Sequence, residues 1–354
     1  PDVYPVDSHG THVAGIIAGN NGDDFFGIAP EAQIMAMKVF SDEDDGAATT
    51  DILAALEDAI ILGADVINMS LSSPSGFTSS SVKAINDVYN RIEEAGIVLC
   101  TSAGNQYYQG FYLNNYDLPF ANTPDYGVVG EPSSYNAALS VASVEAEIIK
   151  DLYLEVGGDR FTYIDLAPEE LLISTLGGQS YEYVFCGLGT QEEFVEIDCE
   201  GKIALISRGE ISFQEKMENA YAAGAIACII FNNTDGDIYM SIDPYLIPTV
   251  SITQENGLAM VEADEYTVYI ADEIGDVVST TGGKMSDFSS WGPAPDLTLK
   301  PEISAIGGNI YSSVIGGYAN MSGTSMSTPQ TAGAAAVLLQ YLEETVNLSR
   351  KNRL

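Results

Sequence analysis

Gly323-Thr324-Ser325-Met326-Ser327-Thr328-Pro329 places a serine at a glycine-led turn, and Thr331-Ala332-Gly333-Ala334-Ala335-Ala336 follows as a run of small residues. A turn that opens an apolar helix sets backbone N–H groups and the positive end of the helix dipole beside that serine. The small residues would let the helix pack deep against a sheet. The partner stretch lies near the other end of the chain. His9-Gly10-Thr11-His12-Val13-Ala14-Gly15 puts a histidine at the entrance of a second helix, and His9 and His12 are the chain's only histidines. A serine hydroxyl is a weak nucleophile at neutral pH and needs a base within hydrogen-bond reach. Ser325 and His9 read as that pair, which points to acyl transfer. His12, nearly one turn on, reads as a structural, partly buried histidine. As a metal pair the two histidines lack a supporting acidic ligand.

A third element is Ser102-Ala103-Gly104-Asn105, which follows an apolar strand-like run. An amide at the carboxyl end of a strand can point its N–H into the crevice where open α/β sheets bind ligands. Asn105 is therefore a candidate donor to an oxyanion, a role typically worth roughly 2.7–4 kcal/mol in the transition state.

Around these motifs, segments alternate between helix-like (10–18, 51–62, 79–95) and strand-like (32–40, 65–71, 97–102, 138–144). This predicts an α/β fold with a parallel sheet and helices on both faces. From about 150 to 275 the segments shorten, turn acidic and carry more strand signal, with one clear helix at 212–223. That stretch is expected to be a mainly β domain inserted into the first. The expected divisions are 1–147, 148–277 and 278–354, with α/β grammar returning in the last and closing on a helix over 325–342.

The chain has 354 residues, 13 basic against 51 acidic, for a net charge of −38. Such a charge repels nucleic acid and anionic membrane surfaces, so neither is an expected partner. No run of eighteen apolar residues suggests a membrane span. The four cysteines, Cys100, Cys186, Cys199 and Cys228, lack metal-site spacing. Cys186 and Cys199 could bridge if oxidised, or all four could be reduced core thiols. The acidic run Ser41-Asp42-Glu43-Asp44-Asp45-Gly46 could bind a structural calcium ion or stay solvated. No cofactor is required for the chemistry. Met326, directly after the serine, is an expected site of oxidation.

Taken together, these stretches resemble the subtilisin-like serine proteases. The His9 and Ser325 heptads match that family's histidine and serine motifs, and Ser102-Ala103-Gly104-Asn105 matches its oxyanion asparagine. Gly27-Ile28-Ala29-Pro30 resembles the approach to a core strand. Val66-Ile67-Asn68-Met69-Ser70-Leu71 resembles the strand lining the substrate cleft. Ser289-Ser290-Trp291-Gly292-Pro293 and Lys300-Pro301-Glu302-Ile303 resemble the approach to the serine. The resemblance implies that Ser70, Leu71 and Ser72 pair with an extended peptide backbone. Leu71, Gly104 and the loop 72–76 would line a roomy pocket for apolar or aromatic side chains. Within the insert, Gly201-Lys202-Ile203-Ala204-Leu205-Ile206, Lys216, Asn219-Ala220 and Ile247-Pro248-Thr249-Val250 resemble a protease-associated domain. That combination is similar to the lactocepin-type cell-envelope proteinases. It implies a secreted or wall-attached endopeptidase acting on polypeptides, its insert shaping access to the cleft.

The family's third catalytic residue is an aspartate well upstream of the histidine, in an Asp-Ser/Thr-Gly setting. Asp2 precedes Val3, and Asp7 stands too close to His9 in sequence to reach around its ring, so neither is assigned the role. The expectation is a chain missing its N-terminal strands, inactive or nearly so as it stands. Two other readings stay open. One is a non-catalytic pseudoprotease or protein-binding module, which an upstream sequence without the aspartate strand would favour. The other is a serine esterase, against which the Ser70-Leu71-Ser72 strand argues.

Overall fold

The computed structural model describes residues 7–22, 25–41, 46–73, 83–107, 128–168 and 171–346. The chain divides into two compact units, Pro1–Glu147 with Thr281–Leu354, and Ile148–Thr280.

In the first unit, four parallel strands lie in the order Val66–Met69, Val98–Ser102, Ala138–Glu145, Ile303–Gly308. Burial explains why these runs are strands. Leu99, Cys100, Val141 and Ala142 lose nearly all contact with water, as expected where helices cover a parallel sheet. The helices Thr49–Leu62 and Lys83–Glu94 contribute Leu56, Val88, Tyr89 and Ile92 to one apolar cluster with Met69, Ile97 and Leu99. Asp51 lies within the first turn of Thr49–Leu62 and does not cap it; Ala48 is the N-cap. The helix ends on Gly63 in the left-handed region (φ 81°), donating to Ala59 O and Ile60 O. Only glycine takes that conformation cheaply.

One expected strand is absent. Residues 32–39 form none, and pairing resumes only at Phe40, which bridges Ala47. The segment has apolar side chains, but a strand exists only through a partner's backbone. Ile34 and Met35 are left about half exposed.

The last helix, Thr324–Val346, runs 23 residues. It buries Thr324, Met326, Ser327, Thr328, Pro329, Ala332, Gly333 and Leu339. Of the small run, only Ala332 and Gly333 are fully covered, while Ala334 is exposed. Gly333 is needed for a close approach, since a Cβ there would stand 2.7 Å from Ile28 Cβ. The first helix, His9–Ala18, packs Val13 and Ile16 against Met326. The charge of Lys300 is buried but satisfied: its ammonium donates to Ala138 O and pairs with Glu302 Oε1 at 2.5 Å. Glu302 Oε2 in turn accepts Ser140 N at 2.8 Å.

The second unit holds a seven-stranded sheet in the order Thr249–Ile252, Ala227–Phe231, Ile203–Ser207, Gln179–Phe185, Thr267–Ile270, Tyr153–Val156, Asp159–Thr162. The first four strands are parallel and the rest antiparallel. Helix Phe213–Ala222 is capped by Ser212, which accepts Glu215 N. It is joined by Leu171–Leu176, Gln191–Phe194 and Gln254–Glu262, so the unit has more helix than its sequence suggests. Its two ends pair with each other, Ile148–Asp151 running antiparallel to Gly275–Val278. In the first unit, Glu145 N donates to Lys284 O at 2.8 Å, Gly283 N donates to Glu145 O at 3.0 Å, and Val144 bridges Met285.

Candidate active site

Ser325 is the second residue of the last helix and is half-buried. Its hydroxyl donates to Ser70 O at 3.3 Å, and its own carbonyl accepts the Ser70 hydroxyl at 2.8 Å. Sequence reasoning missed this reciprocal link, although its signal was present. In a helix, the amide of residue 329 would bond the carbonyl of residue 325, but Pro329 has no N–H. The Ser70 hydroxyl serves that carbonyl instead.

Ser70, Leu71 and Ser72 follow strand Val66–Met69 without themselves being strand. Leu71 O accepts the Ser102 hydroxyl at 3.1 Å. Ser73 exchanges two backbone bonds with Glu131, at 2.9 and 3.1 Å. The Ser70 hydroxyl, Ser70 O and Leu71 O thus each take part in a bond within the fold. Residues 74–76 of the expected pocket loop lie outside the described residues, as do 42–45 of the acidic run.

Asn105 comes to the same place. Its Oδ1 accepts both the backbone amide of Thr324, at 3.0 Å, and the Thr324 hydroxyl, at 2.8 Å. The Thr324 hydroxyl accepts Gly104 N at 3.1 Å. With Oδ1 held this way, Nδ2 faces the serine turn: a Cβ built on Gly323 would lie 3.2 Å from Asn105 Nδ2 and 3.6 Å from Ser325 N. Two N–H groups thus flank one small space, which glycine at 323 keeps open. Gly104 has φ 111°, and a Cβ there would meet Ser290 Oγ at 2.9 Å, so a side chain is excluded on both counts. Thr324, buried and unremarked in the sequence, is the residue that orients the amide.

His9 opens the first helix and is half-buried. Desolvation lowers its pKa from the ordinary 6.5, opposed by the negative charge of Asp7. Asp7 Oδ1 also accepts the His9 backbone amide at 2.7 Å. The helix carrying His9 and the helix carrying Ser325 meet through Val13 and Met326, one turn beyond the first residue and next to the second. His12 is fully buried, and its Nε2 lies 2.9 Å from Ile310 O and 3.1 Å from Ala319 O. Two carbonyl neighbours fix the proton on Nε2 and leave Nδ1 as a buried acceptor with no partner among the described residues. This is a packing histidine with a depressed pKa, burial being the main cause.

The sequence profile of the Subtilase family matches residues 1–351. The chain belongs to the subtilase family. It is 36% identical to the PIII-type proteinase of Lactococcus lactis subsp. cremoris, covering 96% of this chain and 19% of that protein. It is 33% identical to a C5a peptidase of Streptococcus pyogenes, covering 95% of this chain and 29% of that one. The chain thus spans under a third of the length of these curated relatives. Among solved structures, a psychrophilic subtilisin-like protease from an Antarctic Pseudoalteromonas aligns with a TM-score of 0.50 at 18% identity. That alignment covers 95% of this chain and 74% of the other, and shows a shared subtilisin-like fold. Among the described residues, no helix of this subtilase chain is long and apolar enough to cross a membrane.

Proposed function

We propose that this subtilase chain carries the nucleophile, base and oxyanion donor of a serine endopeptidase acting on polypeptides. Ser325 attacks the scissile carbonyl, His9 takes its proton, and Asn105 Nδ2 with the Ser325 amide receives the negative charge that develops. The observation that carries this reading is the fixed Asn105 amide. Thr324 holds Oδ1 by two bonds, so Nδ2 needs no reorganisation when charge appears. The bond from Ser325 Oγ to Ser70 O, at 3.3 Å, is long enough to be given up at small cost when the hydroxyl turns to His9. The chemistry uses no cofactor; a structural calcium ion belongs to the reading only as a stabiliser. The orienting carboxylate is left unassigned, since Asp7 is engaged by His9's own backbone amide. Residues 148–277 serve as a protease-associated domain. The protein works outside the cell, secreted or attached to the envelope.

A fluorophosphonate probe tests the reading. Incubated above the His9 pKa with the folded full-length protein, upstream aspartate strand included, it should label Ser325, and Ser325→Ala should take no label. Absence of label from well-folded protein would sink the endopeptidase reading. It would favour the second one, a non-catalytic pseudoprotease or protein-binding module, toward which the seating of the Ser325 hydroxyl on a backbone carbonyl also leans.

A further inference from the structure

Ser290 is 1% exposed, and its bonds converge on the loop that carries Asn105. Its backbone amide donates to Gly104 O at 2.8 Å. Its hydroxyl accepts Gln106 N at 3.1 Å and donates to Gln106 Oε1 at 3.0 Å. The peptide groups on either side of Asn105 are thus both held by one residue. Just beyond, Tyr107 N donates to Phe288 O at 3.3 Å.

The sheet holds Ser290 in turn. Ser286 N donates to Ser143 O at 3.0 Å, Ser143 N donates to Ser289 Oγ at 3.0 Å, and the Ser143 and Ser286 hydroxyls lie 2.8 Å apart. Ser143 belongs to strand Ala138–Glu145. Ser143, Ser286 and Ser289 are all buried, so water does not compete for these bonds. Residues 286–290 therefore brace the loop of Asn105 against the sheet.

A peptide group is planar, so a bond to its carbonyl or its amide restricts how the whole group is turned. With the groups before and after Asn105 both restricted, the two backbone dihedrals of that residue have little freedom, and neither has the direction of its Cβ. Thr324 acts one step further out, on the side-chain amide. Gln106 has its own part. By accepting the Ser290 O–H, its Oε1 turns an Oγ lone pair toward Gln106 N.

We propose, resting on the peptidase reading of Ser325 and Asn105, that Ser290 is a positioning residue for the oxyanion donor. It fixes the backbone of Asn105 so that Nδ2 is aimed before charge develops. It acts through Asn105.

The test follows labelling of Ser325 by a fluorophosphonate in the full-length protein, upstream aspartate strand included. Attack on phosphorus also builds negative charge on an oxygen. The maximal labelling rate therefore reads the oxyanion donor, while the half-saturating probe concentration reads binding. Ser290→Ala should lower the maximal rate about tenfold and leave the half-saturating concentration unchanged. In an Asn105→Ala background it should lower the rate no further. Three results would overturn the inference while the peptidase reading stands: an unchanged maximal rate, an effect on the half-saturating concentration alone, or equal slowing in both backgrounds. If Ser290→Ala does not fold, Gln106→Ala takes its place, since it leaves the Ser290 hydroxyl undirected. A few-fold slowing that vanishes with Asn105→Ala is then expected; no slowing, or slowing that persists, overturns the inference. Absence of label from the unaltered, folded protein would remove the peptidase reading and the inference together.

Discussion

The Thr324 hydroxyl donates to Asn105 Oδ1 at 2.8 Å while accepting Gly104 N at 3.1 Å, so one side chain fixes both the amide and the strand end that carries it. Replacing Thr324 by Val keeps the shape but removes both bonds, leaving only the Thr324 backbone amide to hold Oδ1. We expect kcat to fall about tenfold with KM little changed, the loss of roughly one hydrogen bond. Asn105→Ala should cost roughly 10²–10³ in kcat. If Thr324 acts through Asn105, the double variant will be no slower than Asn105→Ala alone. Additive losses in that cycle would separate the two residues.

The rate should keep its acid limb at lower pH than an ordinary histidine would give. His9 must be neutral to act as base, and desolvation lowers its pKa below 6.5. Asp7 opposes that shift by charge, so Asp7→Asn should move the limb of kcat/KM further toward acid. A limb at or above the ordinary value would contradict the burial of His9.

Stability should follow the second histidine. His12 is neutral and buried, with a lowered pKa, while the unfolded chain takes up a proton near the ordinary 6.5. Below that value the unfolded state binds more protons than the folded one, so stability falls with falling pH until the folded pKa is reached. Urea midpoints measured at successive pH values should show the slope. His12→Gln, which keeps an N–H for the two carbonyls, should flatten it.

Ser70→Ala leaves the Ser325 carbonyl without its donor and should destabilise by about 1–3 kcal/mol. In a Pro329→Ala background the helix amide can bond that carbonyl instead, so the same substitution should cost clearly less. Equal costs in the two backgrounds, from chemical denaturation, would show that the Ser70 hydroxyl is not substituting for the missing amide.

Met326 is only 2% exposed, against 55% for Met285. Peroxide should therefore oxidise Met285 first, with activity lost only as Met326 follows; peptide mapping alongside assay would show the order. Activity unchanged after Met326 oxidation would remove it from any role near Ser325.

The sequence made the helices of His9 and Ser325 and the strands around Asn105 legible, because apolar runs and glycine-marked turns are local signals. The segment 32–40 was misread for the complementary reason. Its apolar residues report a wish for burial, but pairing depends on backbone far away. The partners of Ser70 were hidden similarly, since the bond to Ser325 spans most of the chain, although Pro329 marked the vacancy. Thr324 passed unnoticed because a buried hydroxyl in a serine-rich turn looks like ordinary capping.

The paired ends of the second unit have a consequence for how such a chain can be assembled. Ile148–Asp151 and Gly275–Val278 leave side by side, and residues 144–145 and 283–285 of the host are already tied to one another. The host therefore supplies what amounts to the mouth of a hairpin, and closing it costs little more for a domain than for a turn. The junction works as a socket. A short loop in place of the insert should leave the host able to fold, and another domain whose ends lie this close could be plugged in without stretching the sheet against which the Ser325 helix packs.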